Sequence, residues 1–184
     1  MHDLGEQLRE CFQGRVCLMG LGNVDYGDDG FGAILSEAIC RRLKTHGDVT
    51  DRHDVINAQT IPERFINPVS VKGFNHLIFI DAVEFGGAPG SVIFMGSEEM
   101  EGRFPQVSTH KISPGLLARW IEAGGTTKTW LLGIQPGSLK PSRGLTKDVQ
   151  VTFDILEKLL CKLWIQGNCM EQQTETIMEE ANIC

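Results

Sequence analysis

The sequence has little of what membrane proteins and nucleic-acid-binding proteins need. No apolar run approaches the roughly 20 residues that a helix needs to cross a bilayer, so membrane insertion is not expected. Lysine and arginine number 17 against 24 aspartates and glutamates, a formal net charge of −7. Because nucleic-acid-binding surfaces are basic, no nucleic acid is expected as a partner. The polar segment from Met1 to Arg15 also lacks the pattern of a secretory signal.

Several catalytic and metal-binding motifs are absent as well. The six cysteines contain no C-x-x-C pair and no zinc-finger spacing, so they are interpreted as reduced, mostly structural thiols of a cytoplasmic protein. The sequence has no Walker loop, no H-E-x-x-H and no G-x-S-x-G. Ser108 is not on a nucleophile elbow, so a serine hydrolase is not expected.

What is present is the pattern of an α/β protein. A length of 184 residues favours one domain, and 41% hydrophobic with 22% charged residues is typical of globular chains. Hydrophobic spacing predicts strands at 16–21, 54–58, 75–83, 91–96 and 129–134, with helices at 30–43, 61–69, 113–123 and from Thr146 to about Trp164. The prediction is a three-layer α/β/α fold with a mostly parallel sheet and one antiparallel strand. This domain is expected to occupy residues 1–165, and residues 166–184 are expected to form a polar, flexible tail with some helical structure.

Two connections carry expectations of their own. The turn cluster from Gly86 to Gly90 predicts a hairpin that makes the strand at 91–96 antiparallel. The acidic stretch 98–106 is expected to be a loop.

The most informative segment is the glycine-rich turn from Gly20 to Gly30, which links a strand to a helix. A dinucleotide-binding loop would need glycine three positions after Gly22, and Asp25 is there instead. An EF-hand loop starting at Asp25 would need a glutamate where Ser36 stands. Asp28 and Asp29 instead place carboxylates where a phosphate would bind. Asp28 is interpreted as a helix cap, whereas Asp29 is undecided on local grounds.

Two further candidate residues follow other predicted strands or precede a helix. Asp81 ends the most apolar strand, where an unpaired carboxylate would be costly to bury. His110 precedes a helix that Ser113 caps, although one histidine by itself is more often an ordinary loop residue. At the carboxyl edge of the sheet, Asp29, Asp81 and His110 would make a nitrogen and oxygen set for nickel or zinc. The same three residues could also serve as acid/base groups without a metal.

At these residues the chain resembles the hydrogenase maturation proteases, which trim the C-terminal extension from the large-subunit precursor of [NiFe] hydrogenases. The matching motifs occur in the family's order and span roughly residues 16 to 164. They are Gly20-Leu21-Gly22-Asn23 with Gly27-Asp28-Asp29-Gly30-Phe31-Gly32, then Ile80-Asp81-Ala82, Ser108-Thr109-His110 and Gly133-Ile134-Gln135-Pro136.

The resemblance implies a five-stranded twisted sheet and an endopeptidase that acts after nickel insertion. It implies that Asp29, Asp81 and His110 complete the coordination of nickel brought by the hydrogenase precursor, with zinc or cadmium as a surrogate in crystals. The tail after Trp164 lies beyond the resemblance.

Two alternatives come from other functional classes. One is a non-catalytic metal- or precursor-binding maturation chaperone on the same fold. A weaker one is a nucleotide-binding α/β protein.

Overall fold

The structure is a computed structural model that describes residues 3–46, 53–103 and 112–181. The strands are β1 (Val16–Leu21), β2 (Asp54–Gln59), β3 (His76–Ala82), β4 (Val92–Gly96) and β5 (Lys128–Ile134). The α-helices are α1 (Leu4–Cys11), α2 (Phe31–His46), α3 (Ile66–Lys72), α4 (Ser97–Arg103), α5 (Pro114–Ala123) and α6 (Lys147–Ala181). Short 3-10 helices, Gly27–Gly30 and Pro62–Phe65, precede α2 and α3.

The five strands form one sheet in the order β2-β1-β3-β5-β4. Neighbouring strands run parallel except for β4, which pairs antiparallel with β5. The predicted fold class is therefore confirmed. The predicted hairpin is wrong, because β5 lies between β3 and β4 and the turn at residues 86–90 does not pair the strands that it connects.

Alternate residues of the central strands face two separate hydrophobic cores. Leu18 and Ile78 pack with one set of helices and Met19 and Phe79 with the other. The first core holds buried side chains of α1, α2 and α6, and the second holds those of α3, α4 and α5. Burial on both faces explains why the central strands are continuously apolar rather than alternating in polarity.

Three elements differ from the sequence-based predictions. A helix, α1, lies in the N-terminal segment and buries Leu8 in the first core. Residues 97–103, expected as a loop, form α4, whose Met100 is buried in the second core. The last helix does not end near Trp164 but continues to Ala181, so residues 166–181 of the predicted tail have a helical backbone. The described helices include none that is long and apolar enough to span a membrane.

The amino end of α2 packs very closely on the sheet, and this brings the glycine-rich turn to the ends of β1 and β3. A Cβ atom on Gly32 would lie 1.9 Å from the carbonyl oxygen of Ile80 and 2.6 Å from that of Leu21. Only a glycine permits this approach. The turn that carries Asp29 therefore lies at the same edge of the sheet as Asp81.

Candidate active site

Asp29 is held by its own turn. It lies in the 3-10 helix Gly27–Gly30, and only 3% of its surface is exposed. The backbone N–H of Asn23 donates a 2.8 Å hydrogen bond to Asp29 Oδ2. Gly22 has a φ of 116°, and a Cβ atom there would lie 1.7 Å from the carbonyl oxygen of Asp29. Glycine at position 22 is thus required for this turn, which folds back to orient the Asp29 carboxylate.

Asp28 has a different role, although it is the adjacent residue. It is completely buried, and its carboxylate accepts four hydrogen bonds. Gly137 N–H, Ser138 N–H and the Thr146 hydroxyl donate to Oδ2, and Thr146 N–H donates to Oδ1, all at 2.7–3.0 Å. The prediction that Asp28 caps the adjacent helix α2 is wrong, because its carboxylate bonds to residues 137–146 instead. Asp28 is structural, as predicted, but it fixes the start of α6.

Asp81 lies near the carboxyl end of β3 and is only 2% exposed. Its Oδ1 accepts a 2.9 Å hydrogen bond from Ala82 N–H, and in the sheet it pairs with Gly133 of β5. The close contact of Gly32 with Ile80 puts Asp29, in the turn after β1, at the same edge as Asp81, which lies near the end of the neighbouring strand β3. Two buried carboxylates from separate parts of the chain therefore share one end of the sheet, as predicted for the ends of parallel strands.

His110 lies outside the described residues, so its predicted place beside the two aspartates stays a prediction. The helix that follows it is described: Ser113 caps α5 by accepting a hydrogen bond from Leu116 N–H, and Pro114 occupies the first position. Within residues 3–46, 53–103 and 112–181, no group of three or more His, Cys, Asp or Glu could hold a metal ion. Of the three predicted ligands, Asp29 and Asp81 are the two that lie within the described residues.

Gln135 stabilises the same edge in a way that the sequence did not reveal. It is 9% exposed, and its side-chain oxygen accepts hydrogen bonds from Phe85 N–H at 2.9 Å and Gly87 N–H at 3.1 Å. These bonds tie the end of β5 to the loop that follows Asp81 on β3. The motif Gly133-Ile134-Gln135-Pro136 indicated a junction here, but the partners are about 50 residues away and leave no local sequence signal.

Two other features of the molecule do not belong to this site. A cavity of about 540 Å³ lies at the opposite edge, where Arg15, Asp54 and Phe74 precede or begin the strands. Burial raises the pKa of the Cys11 thiol to about 12, and it also raises the pKa of Cys17. Since a nucleophile or metal ligand must be a thiolate, these two cysteines are structural.

Comparisons with known proteins agree on one family. A family model described as HycI, hydrogenase maturation protease, matches residues 38–163. The hydrogenase 2 maturation protease of Escherichia coli (strain K12) is 30% identical over 162 residues, which span 83% of this chain and 93% of that protein.

Solved structures give the same result. The crystal structure of the [NiFe] hydrogenase maturation protease HycI from Thermococcus kodakarensis KOD1 has a TM-score of 0.75 and 25% identity, covering 86% of this chain and 98% of that one. The hydrogenase maturating endopeptidase HybD from E. coli has a TM-score of 0.61 and 25% identity, covering 79% and 89%. The fold, the matched family model and the curated relative together show that this chain belongs to the hydrogenase maturation protease family.

Proposed function

We propose that the protein is an endopeptidase that removes the C-terminal extension from the large-subunit precursor of a [NiFe] hydrogenase after nickel insertion. Membership of the family supports proteolysis. The observation that carries the proposal is the pair of buried carboxylates, Asp29 and Asp81, at one end of the sheet. The Asp28 carboxylate holds the start of α6, whereas the carboxylates of Asp29 and Asp81 accept the backbone N–H groups of Asn23 and Ala82 at the carboxyl edge of the sheet.

Nickel enters this proposal as part of the substrate. Asp29, Asp81 and His110 complete the coordination of a nickel ion that the precursor holds mainly through cysteine thiolates. Carboxylate oxygen and imidazole nitrogen suit borderline divalent metals, so zinc or cadmium would occupy the same ligands as a surrogate. A site with few protein ligands leaves positions open for the ligands of the precursor. Cleavage would then depend on whether the metal has been loaded.

The hydrolysis itself needs a base and an acid. Water adds to the scissile carbonyl carbon and loses a proton, the C–N bond breaks, and the departing amine takes up a proton. Asp29, Asp81 and His110 are the side chains proposed to accept and return these protons. The mechanism is thus proposed to be of the aspartic or metal-dependent type.

We also propose that this cleavage takes place in the cytoplasm. Cys11, Cys17 and Cys40 are not joined in disulfides. Reduced thiols are typical of proteins that fold in a reducing compartment.

The direct test is to incubate the protein with nickel-loaded precursor and to measure the mass of the large subunit. We expect the mass to fall by that of one C-terminal peptide, and we expect no change with a precursor that lacks nickel. A nickel-loaded precursor that binds but keeps its mass would contradict the endopeptidase proposal and favour a maturation chaperone. Stabilisation of the protein by NAD or ATP and not by nickel or zinc, measured by thermal shift, would favour a nucleotide-binding protein.

A further inference from the structure

Gln59 has an unusual backbone conformation. Across residues 3–46, 53–103 and 112–181 it is the only non-glycine residue with a positive φ, at 50°. A side chain in this left-handed region is disfavoured by contact between Cβ and the backbone, and glycine would adopt it freely. Such strain persists where the surroundings enforce it, and it is concentrated at functional sites. The strained backbone at Gln59 thus raises the question of what its side chain does.

The position of Gln59 links it to the candidate active site. It ends β2 and pairs with Leu21 where the register between β1 and β2 shifts. Its carbonyl oxygen accepts a 3.0 Å hydrogen bond from Gly22 N–H. Gly22 in turn packs against the carbonyl of Asp29, and the next residue, Asn23, donates to the Asp29 carboxylate. One hydrogen bond therefore separates Gln59 from the turn that orients Asp29.

The surface around this link is exposed and partly apolar. Gln59 itself is exposed. Val24 and Tyr26 in the Asp29 turn are 42% and 45% exposed, and Ile61 in the loop after β2 is 36% exposed. Tyr26 is fixed through its carbonyl, which accepts a hydrogen bond from Asp29 N–H. Apolar side chains beside an exposed amide suit an extended peptide, which presents side chains and backbone polar groups together.

We propose that Gln59 is a substrate-binding residue whose side-chain amide binds the main chain of the peptide that is cleaved, beside Asp29. The inference rests on the proposed endopeptidase function. A glutamine amide both donates and accepts hydrogen bonds, which matches the C=O and N–H of a peptide unit. Its side chain provides a contact that glycine, the residue this backbone prefers, could not make. Retention of that contact accounts for the strained conformation.

The test compares Gln59→Gly with Gln59→Asn and the wild type. Glycine keeps the backbone conformation and removes the amide, whereas asparagine tolerates a positive φ and keeps a shorter amide. For nickel-loaded precursor we expect Gln59→Gly to raise KM about tenfold, the effect of losing one or two hydrogen bonds. We expect kcat to change little, Gln59→Asn to be intermediate, and the melting temperature of Gln59→Gly to be at least that of the wild type. Gln150→Ala, an exposed glutamine on α6, is the matched control with unchanged KM.

The outcomes separate this inference from the function on which it rests. An unchanged KM in both Gln59 variants, with the wild type active, overturns the role of Gln59 and leaves the endopeptidase intact. A wild type that binds the precursor without cleaving it overturns the endopeptidase. In that case the role of Gln59 is tested by the dissociation constant for the precursor. A value about tenfold higher for Gln59→Gly than for the wild type supports the peptide contact, and an equal value overturns it.

Discussion

At the scale of single residues, two adjacent aspartates show how burial alone does not define a role. Asp28 and Asp29 are both almost inaccessible to solvent. Asp28 accepts hydrogen bonds from residues 109 to 118 positions away, so it joins two distant parts of the chain. Asp29 accepts from Asn23, six positions away, and its carboxylate is held at the edge of the sheet. The first aspartate therefore stabilises the fold, and the second is the better candidate for chemistry.

This difference predicts that replacement by asparagine lowers mainly stability at position 28 and mainly activity at position 29. Asp28→Asn replaces one acceptor oxygen with an amide group that faces N–H and O–H donors. We expect it to lower the free energy of unfolding by about 2 to 4 kcal/mol, because a buried carboxylate network is broken. Asp29→Asn keeps an acceptor oxygen for the single Asn23 N–H, so we expect a smaller loss of unfolding free energy than for Asp28→Asn, together with loss of precursor processing.

Urea unfolding of both variants and the mass of the large subunit provide the two measurements. Each variant is the control for the other. Full processing by Asp29→Asn would remove Asp29 from the site, and an unchanged stability of Asp28→Asn would show that the four hydrogen bonds contribute little.

At the scale of elements, helix α6 has two structural roles. Its start is fixed by Asp28, and its middle covers the first hydrophobic core. Trp164 of α6 is 3% exposed, and its ring packs at 5.0 Å from that of His53 and 6.5 Å from that of Phe12. Through these contacts α6 packs against Phe12, which follows α1, and against His53, which precedes β2. These ring contacts add to the burial of Leu8 and Cys11, which packs α1 on the first core.

The packing around Trp164 gives a test at the scale of the element. Trp164→Ala would leave a cavity between α6, Phe12 and His53, and we expect it to lower the free energy of unfolding by about 3 to 5 kcal/mol. Ile165→Ala, at the neighbouring 37% exposed residue, is the matched control. Its expected loss is smaller, because much of the side chain remains in water. Equal losses in the two variants, measured by denaturant unfolding, would show that α6 is not anchored by Trp164.

Sequence patterns predicted the positions of most helices and strands, but they did not predict which of these elements pack against each other. The bounds of β1 agree with the prediction, and Ser113 caps α5 as expected. Helix α4 was missed because its sequence is polar apart from Met100, whose burial depends on a core assembled from other elements. The turn at residues 86–90 has the composition of a hairpin, yet the partner of β4 comes from β5. Local propensity carries no information about which strand will lie beside which.

At the scale of the whole molecule, His76 makes the stability of the fold depend on pH, because it takes part in a hydrogen bond between two strands of the sheet. His76 is half-buried at the start of β3, and its Nδ1 accepts a 3.0 Å hydrogen bond from Trp130 Nε1 of β5. Burial lowers the pKa of His76, and the charge of Lys128 lowers it further. Folding therefore favours the neutral imidazole, the form that can accept the Trp130 hydrogen bond.

The sign of the pH effect follows from this lowered pKa. The contribution of His76 is fully present above its ordinary pKa of about 6.5. It is lost as the pH falls from there towards the lowered value in the folded protein, because the unfolded chain then binds more protons. We expect His76→Asn, which keeps an acceptor, to show a smaller loss of stability between neutral and mildly acidic pH than the wild type. Lys128→Met should also weaken the dependence. Identical pH profiles of the melting temperature in wild type and His76→Asn would contradict this.

The sequence by itself determined the α/β class, the strands and the two aspartates at their carboxyl ends, because hydrophobic periodicity and glycine turns act over a few residues. The match of four motifs in order also indicated the family that the comparisons show. Only the tertiary structure decided that Asp28 fixes α6, that Gln135 holds the loop after Asp81, and that Gln59 lies beside the Asp29 turn. Each of these depends on a hydrogen bond between residues far apart in the chain. Such bonds form only once the layers pack, so no local pattern records them.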